Sequence, residues 1–308
     1  PTVVSGDLTY TGSDQNLLSA VGSCSTGGTM YWYSSNPSTS STAPTFSTDT
    51  FTTTAPTTSS YKGTAADTYY IYYYCKVDDT NNNTGSNINT VKSVSKAIGK
   101  KADTITITKP TSPTYDGSVH TTTASATSGL TPSVTYYTNS GCTTKTTTAN
   151  SGATSEGGAP KDAGTYYATA TTEGNGNYSA GSKSCTEALT INKKSIAVTW
   201  GSTTTFTYNG SGQAPTASAT TGITGETMTV TRTTQTNASE SNYTSTASCS
   251  SVSGGRAKCD NYTLTGTTKT YTIGKRTVTV TAPTVVSGDL TYTGSAQNLL
   301  SAVGRCST

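Results

Sequence analysis

The sequence is poor in most of what catalysis, membrane insertion and helix formation use. Among 308 residues there is one histidine, His120, with two Met and two Trp. Charged residues make up 11% and hydrophobic residues 31%, both below ordinary globular usage. Helix formers are scarce, which excludes a helical protein. No apolar run approaches the ~18 to 20 residues of a membrane span. A formal charge of +3, thinly dispersed, excludes an electrostatic nucleic-acid surface. Ser-His-Asp and Cys-His sites take a histidine as base. His120 follows a Tyr-Asp-Gly-Ser turn among ordinary strand residues and reads as a surface or edge-strand residue. Glycoside hydrolysis needs two placed carboxylates, and the 16 acidic residues single out no pair. Asp78-Asp79 lies in a Gly/Asn loop and reads as a polar turn, because Ca²⁺ takes several clustered oxygens. Gly157-Gly158 opens no helix, so it makes no phosphate loop. The expectation is a non-catalytic protein without cofactor or metal.

What is present is hydroxyl and tyrosine: 74 Thr, 42 Ser, 30 Gly and 20 Tyr. Thr favours strands. Disordered segments are poor in aromatics, and here the tyrosines sit in short alternating runs, as half-buried strands require.

Residues 1–26 return almost unchanged at 283–308; only Asp14 against Ala296 and Ser23 against Arg305 differ. The period is 282 residues, and the chain is expected to be a window onto a longer periodic protein. A weaker repeat lies inside that cassette. Tyr-x-Gly-Ser recurs at Tyr10, Tyr115, Tyr208 and Tyr292, with spacings of 105, 93 and 84 residues. In phase with it run Ile98-Gly99-Lys100-Lys101, Ile191-Asn192-Lys193-Lys194 and Ile273-Gly274-Lys275-Arg276. The predicted domains are repeat 1 over 1–99, repeat 2 over 100–192 and repeat 3 over 193–275. Residues 276–308 then start the next copy of repeat 1.

In repeat 1 the pattern predicts strands at Thr2–Val4, at Asp7–Leu18 around the turn, and at Thr29–Tyr33, Thr68–Val77 and Thr90–Ile98. Gly, Asn, Ser and Pro clusters separate them. Alternation puts Tyr69, Ile71, Tyr73 and Cys75 on one face of the aromatic strand and Tyr70, Tyr72 and Tyr74 on the other. Tyr166, Ala168 and Ala170 align with the first set, which is therefore placed inward. Many short strands with turn signals and no helix predict antiparallel β-sandwiches.

Asp162-x-Gly164-x-Tyr166 resembles the tyrosine corner entering strand F of immunoglobulin-like domains. Repeat 1 departs from it, with Ala65 at the Asp position. Add the Tyr-x-Gly-Ser-x-Gln starts (Tyr208 to Gln213, Tyr292 to Gln297) and the Asn-Tyr-Ser/Thr near the last strand (Asn177, Asn261). The units then resemble the MBG-type bacterial Ig-like repeats. The resemblance covers all three units. It implies tandem Ig-like domains of large secreted or surface-attached proteins, adhesins among them.

Cys24, Cys75, Cys142, Cys185, Cys249 and Cys259 fall two to a repeat, and Cys306 is the counterpart of Cys24. Even numbers per repeat predict disulfides and an oxidising exterior. Cys24–Cys75 would join strand ends that are adjacent in an Ig sandwich. Cys249–Cys259 would close a Ser/Gly loop, and Cys142–Cys185 follows by elimination. The single His and the lack of Cys-x-x-Cys exclude a zinc site.

Tyr31 and Tyr33, with Tyr70, Tyr72 and Tyr74, are predicted to share one outer sheet face. Three roles are open to it: cross-strand shielding, contact with another chain or domain, or glycan stacking. Trp32 is expected in the core. Six Asn-x-Ser/Thr sequons, at Asn82, Asn177, Asn209, Asn237, Asn242 and Asn261, imply glycans only in a host that modifies them. The sequence therefore predicts a non-catalytic secreted or cell-surface stalk or filament. Self-association or contact with neighbouring copies is expected, and junctions two to four residues long favour an extended rod. The alternative is an adhesin whose repeats bind glycan or host protein.

Overall fold

The computed structural model describes residues 1–24, 27–78, 88–148, 156–254 and 258–307. Among them the protein is all-β, with no α-helix and one 3₁₀ turn at Cys259–Asn261. The chain divides into two compact units: residues 1–112, 119–160 and 165–190, and residues 113–118, 161–164 and 191–308.

In the first unit, repeat 1 builds a five-stranded sheet. Its order is Leu8–Thr9, Val91–Gly99, Thr68–Val77, Gly28–Tyr33, Phe51–Thr52. All pairings are antiparallel except that of Leu8–Thr9, which runs parallel to Val91–Gly99. Under one face lie Leu17, Leu18, Trp32, Tyr69, Ile71 and Ile98, with Met30, Tyr61 and Tyr73 packed against them. Trp32 is 1% exposed, a core residue as expected.

Repeat 2 contributes a three-stranded sheet, Ser133–Tyr137, Gly164–Thr172 and Gly181–Ile191, and the pair Ile105–Thr108 with Thr123–Ala126. Tyr136, Ala168 and Ala188 form its small core. The alanines at the positions of bulky repeat 1 residues let the strands carry little apolar mass. Tyr136 on the neighbouring strand packs beside them, with Ile107 and Val134 against the cluster.

The second unit holds repeat 3. Its four-stranded sheet has the order Thr205–Thr207, Thr268–Gly274, Tyr243–Ser253, Thr227–Arg232, the first pair parallel. Ala214, Tyr271 and Ile273 are its core, with Phe206 and Tyr243 against them.

Residues 283–307 repeat the sequence of 1–25 in a second setting. Thr284 pairs with Ala302 and Val285 with Leu300, with the same register shift as Thr2 with Ala20 and Val3 with Leu18. The ladder is thus encoded locally. Burial is not: Leu17 is 0% exposed while its counterpart Leu299 is 68% exposed. The rest of repeat 1 supplies that cover.

Candidate functional site

The aromatic face of repeat 1 is covered by its own chain. Asn36 holds the main chain of Tyr72 from both sides, donating to its carbonyl at 2.8 Å and accepting from its N–H at 2.9 Å. Ser38 pairs with Tyr70, and the Tyr72 hydroxyl donates to the Ser40 carbonyl at 2.8 Å. Phe46 then stacks on Tyr74 with ring centroids 3.8 Å apart and meets Tyr31 edge-on at 5.2 Å. Phe51 and Tyr72 both lie against Tyr33. Tyr72 is 2% exposed; Tyr31, Tyr33, Tyr70 and Tyr74 are half-buried. The structure therefore brings all five tyrosines together, as a second apolar layer. The signal for it was slight: Phe46 and Phe51, two of three phenylalanines in the chain, in a Ser/Thr/Pro-rich stretch.

Three disulfides close within repeats: Cys24–Cys75, Cys142–Cys185 and Cys249–Cys259, each with Cα atoms 5.8 Å apart. Cys306 is free and exposed. Disulfides of this kind fit an oxidising compartment.

One buried carboxylate stands out in repeat 2. Asp103 accepts from the Thr172 hydroxyl at 2.6 Å, the Ser128 hydroxyl at 2.7 Å, the Ser128 N–H at 2.9 Å and the Thr127 hydroxyl at 3.1 Å. The Thr172 bond above all, with those from Ser128 and Thr127, holds its pKa down to about 2 against the opposing effect of burial. A side chain at Gly181 would meet the Asp103 carbonyl at 2.8 Å, so the close approach of the Asp103 segment needs glycine there.

The sequence motifs converge at the repeat boundaries. In Tyr-x-Gly-Ser the glycine must take the left-handed conformation: φ is +86° at Gly12, +80° at Gly117, +81° at Gly210 and +74° at Gly294. The motif tyrosine is positioned by the last strand of its own repeat. The N–H of Tyr10 donates to Gly99 O at 2.9 Å, that of Tyr115 to Asn192 O at 2.8 Å, and that of Tyr208 to Gly274 O at 2.9 Å.

Two of these tyrosines meet the Asn-Tyr turn of the following repeat. Within the first unit, Tyr10 packs edge-on against Tyr178 with centroids 5.5 Å apart, and Asn177 Oδ1 accepts from the Ala66 N–H at 2.9 Å. Lys101 pairs in parallel with Tyr178. Within the second unit, Tyr115 packs edge-on against Tyr262 at 5.4 Å, and Asn261 Oδ1 accepts from the Ala163 N–H at 2.8 Å. Lys194 pairs in parallel with Tyr262. The residues are equivalent pair by pair: Ala66 lies three before Tyr69, and Ala163 three before Tyr166.

The second set carries added charge. Glu226 accepts from the Tyr115 hydroxyl at 2.7 Å and from the Tyr262 hydroxyl. Asp162 accepts from Asn261 Nδ2 at 3.1 Å and pairs with Lys258 at 2.9 Å. Burial first, then hydrogen bonding to Glu226 and its charge, push both phenols well above the usual tyrosine range. Sequence reasoning used these Tyr and Asn-Tyr motifs as repeat markers and missed that they touch. Glu226 and Lys258 had no sequence signal.

Tyr208, the third motif tyrosine, is 36% exposed and lines an open hollow with Asn237, Ala238, Lys275, Arg276 and Val278. Among the sequons, Asn261 is 1% exposed and Asn177 has its amide oxygen engaged, whereas Asn209, Asn237 and Asn242 are exposed. Asn82 and Asp79 lie outside the described residues. The His120 N–H donates to the Pro160 carbonyl at 3.0 Å. Among the described residues no three of His, Cys, Asp and Glu gather as a metal site, and no helix is long and apolar enough to cross a membrane. Compared with protein-family models and with curated proteins, the chain matches none.

Proposed function

We propose that this chain is a non-catalytic structural array of tandem Ig-like β-sandwich repeats of the MBG type. It serves as part of a secreted or cell-surface stalk or filament. One observation carries this reading: the same four-part contact, Tyr to Tyr and Asn to main-chain N–H, is built at two successive repeat boundaries. A joint repeated at two successive boundaries fits an array of spacers. The connections favour little bending. Ile98-Gly99-Lys100-Lys101 and its counterparts leave two to five residues between strands, without the Gly/Ser content of a flexible linker. Three disulfides support an extracellular setting. The aromatic face of repeat 1 is largely occupied by Phe46 and Phe51 and supports no ligand-binding reading.

Small-angle scattering on the 308-residue chain, with electron microscopy of single molecules, tests the proposal. An elongated particle with narrow distributions of inter-repeat distance is expected. A compact particle, or distances as broad as those of free tethers, would sink it.

A further inference from the structure

We propose that the two signature turns are a matched pair by which one repeat recognises the next. The Tyr-x-Gly-Ser turn, with the main-chain N–H three residues before the strand tyrosine, is the receptor, and the Asn-Tyr turn is the key. The inference rests on the reading of the chain as a structural array, and it names the partner each repeat end fits.

Geometry and sequence argue for it independently. Both receptors are built the same way, from a parallel pairing that aims the tyrosine and a left-handed glycine that turns the chain back. Both keys are braced by bonds within their own repeat. Asn175 Oδ1 accepts from the N–H groups of Asn177 and Tyr178, each at 2.9 Å. In repeat 3 the turn at Cys259–Asn261 does the same work, with the Asn261 N–H donating to Lys258 O at 3.1 Å and Cys259 tied to Cys249. A braced key loses little entropy on seating. The Asn side chain then satisfies a main-chain donor that no strand of its own repeat reaches.

The same matching identifies an end without a key. Glu240 occupies the position of Ala66 and Ala163, three before Tyr243, and Tyr208 stands at the receptor with part of its ring exposed. Repeat 1, whose sequence restarts after it, contains no Asn-Tyr dipeptide. Two boundaries in this sequence are therefore locked by this device, and the receptor at Tyr208 has no key within it.

Amide hydrogen exchange on the full 308-residue chain reads all three receptors at once. Slow exchange is expected at Ala66 and Ala163 and fast exchange at Glu240. Tyr10→Ser should accelerate Ala66 by about tenfold or more, although the Asn177 acceptor is untouched, and leave Ala163 within about twofold. Tyr178→Ser should do the same from the other side. Asn177→Ala should release Ala66 and Asn177→Asp, which keeps the acceptor, should retain its protection. Unchanged amides in Val91–Gly99 and Gly181–Ile191 show that the variants fold; loss of protection there means that these tyrosines are core residues rather than a joint, and overturns the proposal. So does a slow Glu240, or an Ala66 indifferent to Tyr10→Ser. Scattering on the unmodified chain is read separately, so an elongated particle with an indifferent Ala66 would sink the matched pair alone.

Discussion

Asn261 accepts a hydrogen bond from the N–H of Ala163, 98 residues earlier in the chain, at 2.8 Å. With 1% of its surface exposed, Asn261 spends both ends of its amide, since Nδ2 donates to Asp162. Asn261→Ala removes the acceptor of the Ala163 N–H and one of the donors to Asp162, which keeps Lys258. A loss of about 1–3 kcal/mol is expected, with Asn177→Ala near the low end because Asn177 is only half-buried. Denaturant midpoints at unchanged slope measure it.

Tyr115 and Tyr262 should resist ionisation. Their folded pKa values lie above the unfolded value of about 10, so the stability they add is complete below pH ~10 and is lost as pH rises beyond it. Absorbance titration of tyrosinate is expected to leave these two phenols, among other buried ones, silent until the alkaline unfolding transition. Glu226→Gln removes the charge and should lower both pKa values, bringing their titration earlier.

Asp103 makes the opposite case. Its folded pKa of about 2 lies below the unfolded value, so its contribution is present above pH ~4 and fades as pH falls toward 2. Carbon-detected titration of the carboxyl checks the value. Thr172→Val takes away the strongest donor and should raise it. Asp103→Ala should cost stability at neutral pH and little at pH ~2.

The disulfides differ in what they restrain. In the loop-entropy picture, a bridge over 51 residues contributes about 4 kcal/mol and one over 10 residues about 2.7 kcal/mol. Reduction should therefore lower the unfolding temperature of repeat 1 most. Loss of Cys249–Cys259 has a second, local effect, because Cys259 lies two residues before Asn261. Cys249→Ser with Cys259→Ser should speed amide exchange at Ala163, with less change in the strand Thr268–Gly274. Non-reducing peptide maps establish the starting state.

The all-β fold was legible because period-2 alternation over Thr68–Val77 and turn residues on either side leave no other regular structure open. Inward placement of Tyr69 and Ile71 was also legible. Burial of Tyr72 on the opposite face was not, since the segment that covers it has no periodicity and reaches it through Asn36 and Ser40 side-chain and carbonyl contacts. The junctions were half legible. Recurrence marked Tyr10, Tyr115, Asn177 and Asn261 as special, but nothing in a linear pattern says which marker touches which. That pairing depends on the parallel alignment of Lys101 with Tyr178 and Lys194 with Tyr262, a long-range register.

The parallel pairing inside each repeat has a mechanical meaning. Leu8 and Thr9 run alongside Ile98 and Gly99, Thr114 alongside Asn192, and Thr205–Thr207 alongside Thr272–Gly274. In each repeat an early stretch and the end of the last strand point the same way. Tension applied through the chain therefore draws these strands past each other lengthwise. Their hydrogen bonds carry the load together, in shear, rather than opening one after another like a zip.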